Sequence, residues 1–211
     1  MDEVLPGVVH WTAAHPRIGI LVSSYWLPAE EVLFDPLVPD EGLDGFARRP
    51  PRAILLSNRH HLRESARFVE RFSCSVRCNS AGLHEFAGGE VAVEGFALGD
   101  HLPGSVVAAE MGAICPDDTA LHLPVHRAIV LADGVVRGGP EYGEGPLGFV
   151  PDSLMDDPPQ TKQGLLRSCE RLLAELDFDS LLLAHGGPVI GDGRERLEEL
   201  VASGGRTAFE M

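Results

Sequence analysis

The chain has 211 residues, 44% of them hydrophobic and 23% charged, enough to bury roughly 70% of the unfolded surface around its own core. That composition excludes disordered, collagen-like and coiled-coil classes. Seventeen Lys and Arg stand against 32 Asp and Glu, a formal net charge of −15, and such a field repels phosphate backbones and anionic membranes.

Twenty-four Gly and 16 Pro are spread along the chain, which predicts many short elements joined by tight turns. The start is acidic, with no apolar leader segment behind it, and no apolar run reaches bilayer length. Residues 18–27 (IGILVSSYWL) and 32–35 (VLFD), parted by Pro28-Ala29-Glu30-Glu31, predict a hairpin. Residues 52–57 (RAILLS) read as a short buried strand that stops at Asn58-Arg59-His60-His61. In residues 62–72, Leu62, Ala66, Val69 and Phe72 recur at three- and four-residue steps, the pattern of an amphipathic helix.

Strand-like runs follow at 90–98, 105–110, 120–123 and 128–131, punctuated by Gly, Pro and Asp. Gly99-Asp100-His101-Leu102-Pro103-Gly104 lies between two of them, and the run AIVL ends in Ala132-Asp133-Gly134. A Gly/Pro-rich stretch, 138–159, either covers a site as a lid or packs elsewhere. Residues 161–176 predict a helix with the stripe Leu165, Leu166, Cys169, Leu172, Leu173 and Leu176. Residues 179–184 (DSLLLA) predict another buried strand, ending in His185-Gly186-Gly187-Pro188, and a last helix spans about 193–201. Cys74, Cys78, Cys115 and Cys169 lack metal-finger spacing and are expected as reduced thiols. There is no Gly-x-Ser-x-Gly, phosphate loop or dinucleotide fingerprint.

Four segments share one design: an apolar strand stops and His60, His101, Asp133 or His185 follows. Each alone reads as a turn or hydrogen-bonded loop residue. Their recurrence at strand ends, which converge on one edge of a layered sheet, makes imidazole plus carboxylate a candidate metal ligand set.

In this order the segments resemble the metallo-β-lactamase superfamily over nearly the whole chain. Leu56-Ser57-Asn58-Arg59-His60-His61-Leu62-Arg63 sits where the family carries Thr-His-x-His-x-Asp-His. Asp100-His101-Leu102-Pro103-Gly104-Ser105 resembles its Gly-His-Thr-Pro-Gly-Ser loop, Leu131-Ala132-Asp133-Gly134 the strand ending in the bridging aspartate, and Ala184-His185-Gly186-Gly187-Pro188 the last His-Gly motif. Ser24-Tyr25-Trp26-Leu27 with Val32-Leu33-Phe34-Asp35-Pro36 resembles the opening hairpin. The resemblance implies an α/β chain, one domain over residues 1–211, folded as a four-layer αββα sandwich with its site along one sheet edge.

The first motif departs from the family. Only His60 matches; Asn58, Leu62 and Arg63 stand where His, Asp and His belong. One tightly bound divalent ion, zinc or iron, or none, is therefore expected, held by His60, His101 and Asp133, with the Asn58 amide oxygen as a weak donor and His185 as fourth ligand or proton carrier. Losing a divalent ion and the aspartate at 62 while gaining Arg63 leaves the pocket charge unchanged, so Arg63 is expected either as a guanidinium paired with Asp133 that holds an anionic substrate group, or as a solvent-facing helix residue. His61 is expected to face away from His60 as its structural partner, unless the turn bulges and the roles swap. His10, His15, His84, His122 and His126 read as loop or edge residues, and Glu110 and Cys115-Pro116-Asp117-Asp118 as turn formers.

The resulting expectation is a cytoplasmic metal-dependent hydrolase of a small ester-like or anionic substrate, with no nucleic-acid or membrane partner. The alternative is a non-catalytic relative that binds a small molecule or a protein. A nuclease is disfavoured by the charge and by the missing second-metal ligands.

Overall fold

Side chains that alternate between the two faces of each strand divide the apolar residues into three layers. The computed structural model describes residues 1–138, 145–206 and 208. The first sheet has seven strands in the order β1 (Asp2–Leu5), β2 (Val8–Ala14), β3 (Leu21–Leu27), β4 (Val32–Phe34), β5 (Ala53–Leu55), β6 (Ser75–Asn79) and β7 (Val93–Phe96). Strands β1 to β4 pair antiparallel and β4 to β7 parallel. The second sheet holds β8 (His101–Leu102), β9 (Val106–Glu110), β10 (Thr119–Leu123), β11 (Ala128–Leu131) and, after a two-stranded ribbon of β12 (Val136–Arg137) and β13 (Leu147–Gly148), β14 (Ser180–Leu183). Its order is β14-β11-β10-β9-β8, with β11 and β14 parallel.

Phe34, Ala53 and Leu55 face Leu121, Ala128, Val130 and Leu182 between the sheets. The alternate residues of the same strands point outward. Leu33 and Ile54 meet Phe46 of the 3-10 turn Asp44–Phe46 and Phe68 of helix α1 (Ser65–Phe72). Ile129, Leu131, Leu181 and Leu183 meet Leu165, Cys169 and Leu172 of α2 (Pro158–Glu175) and Leu197 and Leu200 of α3 (Gly193–Ala202). The result is the α/β, αββα layering that the sequence implies.

Two helix starts differ from the sequence reading, each for a local reason. Helix α1 begins at Ser65 rather than Leu62, because residues 59–61 form a 3-10 turn and Arg63 takes a left-handed φ of 43°, which no α-helix continues through. Helix α2 begins three residues early, since Pro158 and Pro159 occupy its first turn, where a missing N–H is harmless, and Asp157 caps it by accepting from the Gln160 N–H. Strands β1, β2 and β6 carry too little alternation to be read from sequence. All four cysteines are free and buried. Of the 138–159 stretch, residues 139–144 lie outside the described residues; Leu147, Phe149, Val150 and Met155 pack into the helix-side core. Among the described residues no helix is long and apolar enough to cross a membrane.

Candidate metal centre

Strand direction builds the site. The parallel strands β4 and β5 end just before Asp35 and Ser57, and the parallel strands β11 and β14 just before Asp133 and His185, so four carboxyl ends open onto one edge of the sandwich. The sheets are stitched there. The Ser23 N–H donates to the Ala184 carbonyl at 3.0 Å, the Tyr25 hydroxyl to Leu183 O at 2.8 Å and the Ser23 hydroxyl to Gly186 O at 2.9 Å.

His61, Asp133 and His185 each bring one donor atom within 4.8 Å of the other two. His185 Nε2 stands 3.0 Å and His61 Nε2 3.5 Å from Asp133 Oδ1. Behind His61, its Nδ1 lies 3.0 Å from Asp35 Oδ2, and Asp35 is itself anchored by the Ser57 N–H at 2.9 Å and by the Ser57 hydroxyl. Asp35–His61 is thus a carboxylate–imidazole relay that presents Nε2 to the cluster, the arrangement by which proteins orient histidine ligands. His61 and Asp35 are buried, whereas the side chains of Asp133 and His185 are 22% and 19% exposed. The cluster opens to solvent on their side.

Burial opposes charge on His61, but the Asp35 carboxylate, and Asp133 after it, outweigh burial and the repulsion from Arg63, raising its pKa to about 9. The same partners hold the carboxyls low: despite burial, His61 lowers Asp35, and His61 with His185 lowers Asp133 well below the usual range. Asp118 moves the other way. It is fully buried, neither carboxyl oxygen has a hydrogen-bond partner among the described residues, and burial first and the Asp133 charge second push its pKa well up.

Of the sequence candidates, the structure brings Asp133 and His185 together and leaves His60 and His101 outside the cluster. His60 is exposed, with its N–H on Asn58 Oδ1 at 2.9 Å, and its neighbour His61 enters in its place. Strand alternation does not apply in the 3-10 turn, where successive side chains fan around the axis. His101 is exposed on β8, opposite Val107. Strand β9 runs from there towards the site, so His101 sits at the far end of the sheet, and Gly104 accordingly approaches Glu30 and Val32 at the start of β4. The turn that reaches the site edge from this hairpin is 111–118.

Asn58 is not placed as a metal donor through oxygen. Its Oδ1 caps the 3-10 turn and its Nδ2 donates to Asp133 Oδ2 at 2.7 Å, the place expected for the Arg63 guanidinium. Arg63 Nη1 instead donates to the carbonyls of Ser23 and Asp35, both at 2.6 Å, tying the loop to β3 and β4. Asp35, Asp117 and Asp118 escaped the sequence reading because acids at strand ends pass for turn formers; Asp117 pairs with Arg59 and accepts from its N–H at 2.6 Å.

The donor set of two imidazoles and a carboxylate fits a divalent cation. A cavity of about 300 Å³ lined by Arg137, Asp192, Arg196, Glu199 and Arg206 lies beyond the His185 loop and contains none of these donors.

No protein-family model and no curated protein sequence matches the chain. Solved structures do. A metallo-beta-lactamase family protein from Thermus thermophilus is 18% identical, with 95% of this chain and 80% of that one covered and a TM-score of 0.65. A protein solved in a di-iron-bound form is 21% identical over 85% of this chain and 93% of its own, at 0.63. The metal-soaked flavodiiron core of Flv1 from Synechocystis sp. PCC6803 is 14% identical, with 96% of this chain covering 60% of that one, at 0.68. The chain has the metallo-β-lactamase fold.

Proposed function

We propose that the protein is a metal-dependent hydrolase acting on a small ester-like or anionic substrate, with one divalent ion held by His61, Asp133 and His185. The convergence of these three donors at one sheet edge carries the reading. Two histidines and a carboxylate suit zinc or iron, and di-iron and flavodiiron proteins share the fold. Such an ion supplies Lewis acidity and an activated water near neutral pH.

The chain's own residues then have distinct tasks. Asp35 accepts from His61 Nδ1–H and so keeps Nε2 free to act as a donor atom; Asn58 fixes the Asp133 carboxylate through Oδ2 and leaves Oδ1 facing the histidines. Arg63 acts by position, holding the 57–63 loop and placing positive charge beside Asp35. His185 and Asp133, on the open side, are the groups an incoming substrate meets. Loading requires His61 to lose its proton, so ion binding competes with the Asp35–His61–Asp133 ion pairs.

Those same ion pairs favour a second reading. Protonated His61 between two carboxylates, with the Asn58 amide on Asp133, closes the network without an ion, as a binding domain with no chemistry would.

Elemental analysis of protein purified without added metal, beside His185→Ala, separates the two. One ion per chain in the parent, lost in the variant, together with chelator-sensitive hydrolysis in an ester, thioester and lactone panel, is expected. Stoichiometric absence of metal and no turnover would leave the binding domain standing.

A further inference from the structure

Resting on that one-ion reading, we propose that His10 and Ser23 are positioning residues for His185, a hydrogen-bonded pair on β2 and β3 that fixes the chain on either side of this ligand. β14 is the edge strand of its sheet, so the loop that follows it has a neighbour in that sheet on one side only. Strand β3 of the other sheet supplies a second hold. The Tyr25 hydroxyl donates to Leu183 O at 2.8 Å, the Ser23 N–H to Ala184 O at 3.0 Å and the Ser23 hydroxyl to Gly186 O at 2.9 Å. The carbonyls before and after His185 are thus gripped from β3, while its own carbonyl accepts from the Arg137 N–H at 3.0 Å.

His10 stands behind this grip. It lies on β2, an interior strand rather than a loop or an edge, and is the cross-strand partner of Tyr25. Its ring stacks on the Tyr25 ring with centroids 5.0 Å apart, and its Nε2 is 2.8 Å from the Ser23 hydroxyl oxygen. The geometry assigns the protons. A carbonyl only accepts, so the single Ser23 hydroxyl proton goes to Gly186 O, and Nε2 is the donor towards Ser23. Burial, against the pull of Asp2, lowers the His10 pKa to about 4, so at neutral pH the ring is uncharged and carries its one proton on Nε2. A hydroxyl that accepts from one partner while donating to another is held in a single orientation. The Ser23 carbonyl accepts from Arg63 Nη1 at 2.6 Å, so the same residue joins the loop that carries His61 to the loop that carries His185.

The test measures, on the full-length protein, Co(II) affinity by competition with a chelator, the cobalt visible spectrum, and the urea midpoint of the metal-free chain. Ser23→Ala removes the bond to Gly186 and the acceptor for His10; His10→Phe keeps a ring against Tyr25 and removes the donor, and it carries the test if Ser23→Ala folds poorly. Each is expected to lower Co(II) affinity about tenfold, the scale of one buried hydrogen bond left unmade, and to shift the cobalt bands. The double variant is expected to lose little beyond Ser23→Ala alone, because the two side chains act through one chain of bonds; fully additive losses would overturn that chain. Val106→Ala, in the core between the sheets near His101, is the control, expected to lower the urea midpoint with affinity and spectrum unchanged. Parent-like affinity and spectrum in Ser23→Ala and His10→Phe, with only a lower urea midpoint, overturn the positioning role and leave the metal site standing. Failure of the parent to bind Co(II) overturns the one-ion reading and this role with it.

Discussion

His61 has one ring nitrogen on the Asp35 carboxylate and the other towards Asp133, so its behaviour sets what the site can hold. Asp35→Asn removes the charge that orients it and is expected to weaken metal binding about 10- to 100-fold, the usual cost of losing such an outer partner; equilibrium dialysis against the parent measures this. With chelator present the His61 pKa also governs stability. Its folded value, about 9, is raised above the ordinary 6.5. Below 6.5 both folded and unfolded chains carry the proton and the stabilisation is fully present. Between about 6.5 and 9 only the folded chain keeps it, and above 9 it is gone. Melting temperature of the metal-free protein is therefore expected to fall as pH rises through this window, and His61→Asn to show no such decline. A flat profile in the parent would show that the proton is not held there.

At the scale of elements, strand ends supply the ligands and the turns aim them. After β14 the chain needs a residue at φ 95° directly behind His185, and Gly186 takes it, with Arg137 so close that an added Cβ would lie 2.4 Å from the Arg137 Cβ. Gly186→Ala is expected to cost a few kcal/mol, from left-handed strain plus the clash, and to displace His185, seen as a lower urea midpoint together with weaker metal binding. The first-motif turn is the counterpart case. Apolar runs, turn residues and helical spacing made β3, β4, β5, β10, β11, β14 and all three helices legible in the sequence, because those signals are local. The choice between His60 and His61 was not legible. It depends on whether the chain after Ser57 continues as a strand or winds into the 3-10 turn that Asn58 caps, and on the buried Asp35 partner, which comes from the end of β4, another strand.

Over the whole molecule the −15 charge acts as a diffuse repulsion. Raising ionic strength from a few millimolar to about 0.15 M, where the screening length is about 8 Å, is expected to raise the urea midpoint at neutral pH. Buried pairs such as His61–Asp35 are screened far less, so a salt-induced loss of stability would place the dominant electrostatics in the pairs rather than in the net charge. A bound ion would add to stability in proportion to the logarithm of its concentration over its dissociation constant, about 2.7 kcal/mol at a hundredfold excess, and His185→Ala should abolish that increment in a thermal scan.

By itself the sequence determined most strands, the helices and two members of the cluster, Asp133 and His185, because hydrophobic periodicity and strand-end punctuation are written in neighbouring residues; the layered αββα architecture followed from the resemblance that those segments, in their order, bear to the metallo-β-lactamase superfamily. Only the tertiary structure decided the rest: His61 in place of His60, His101 at the far end of its sheet, and Asp35 and Asn58 supporting the cluster. Those positions follow from strand direction and from contacts between segments tens of residues apart, and no local pattern encodes which of two sheet ends a loop will reach.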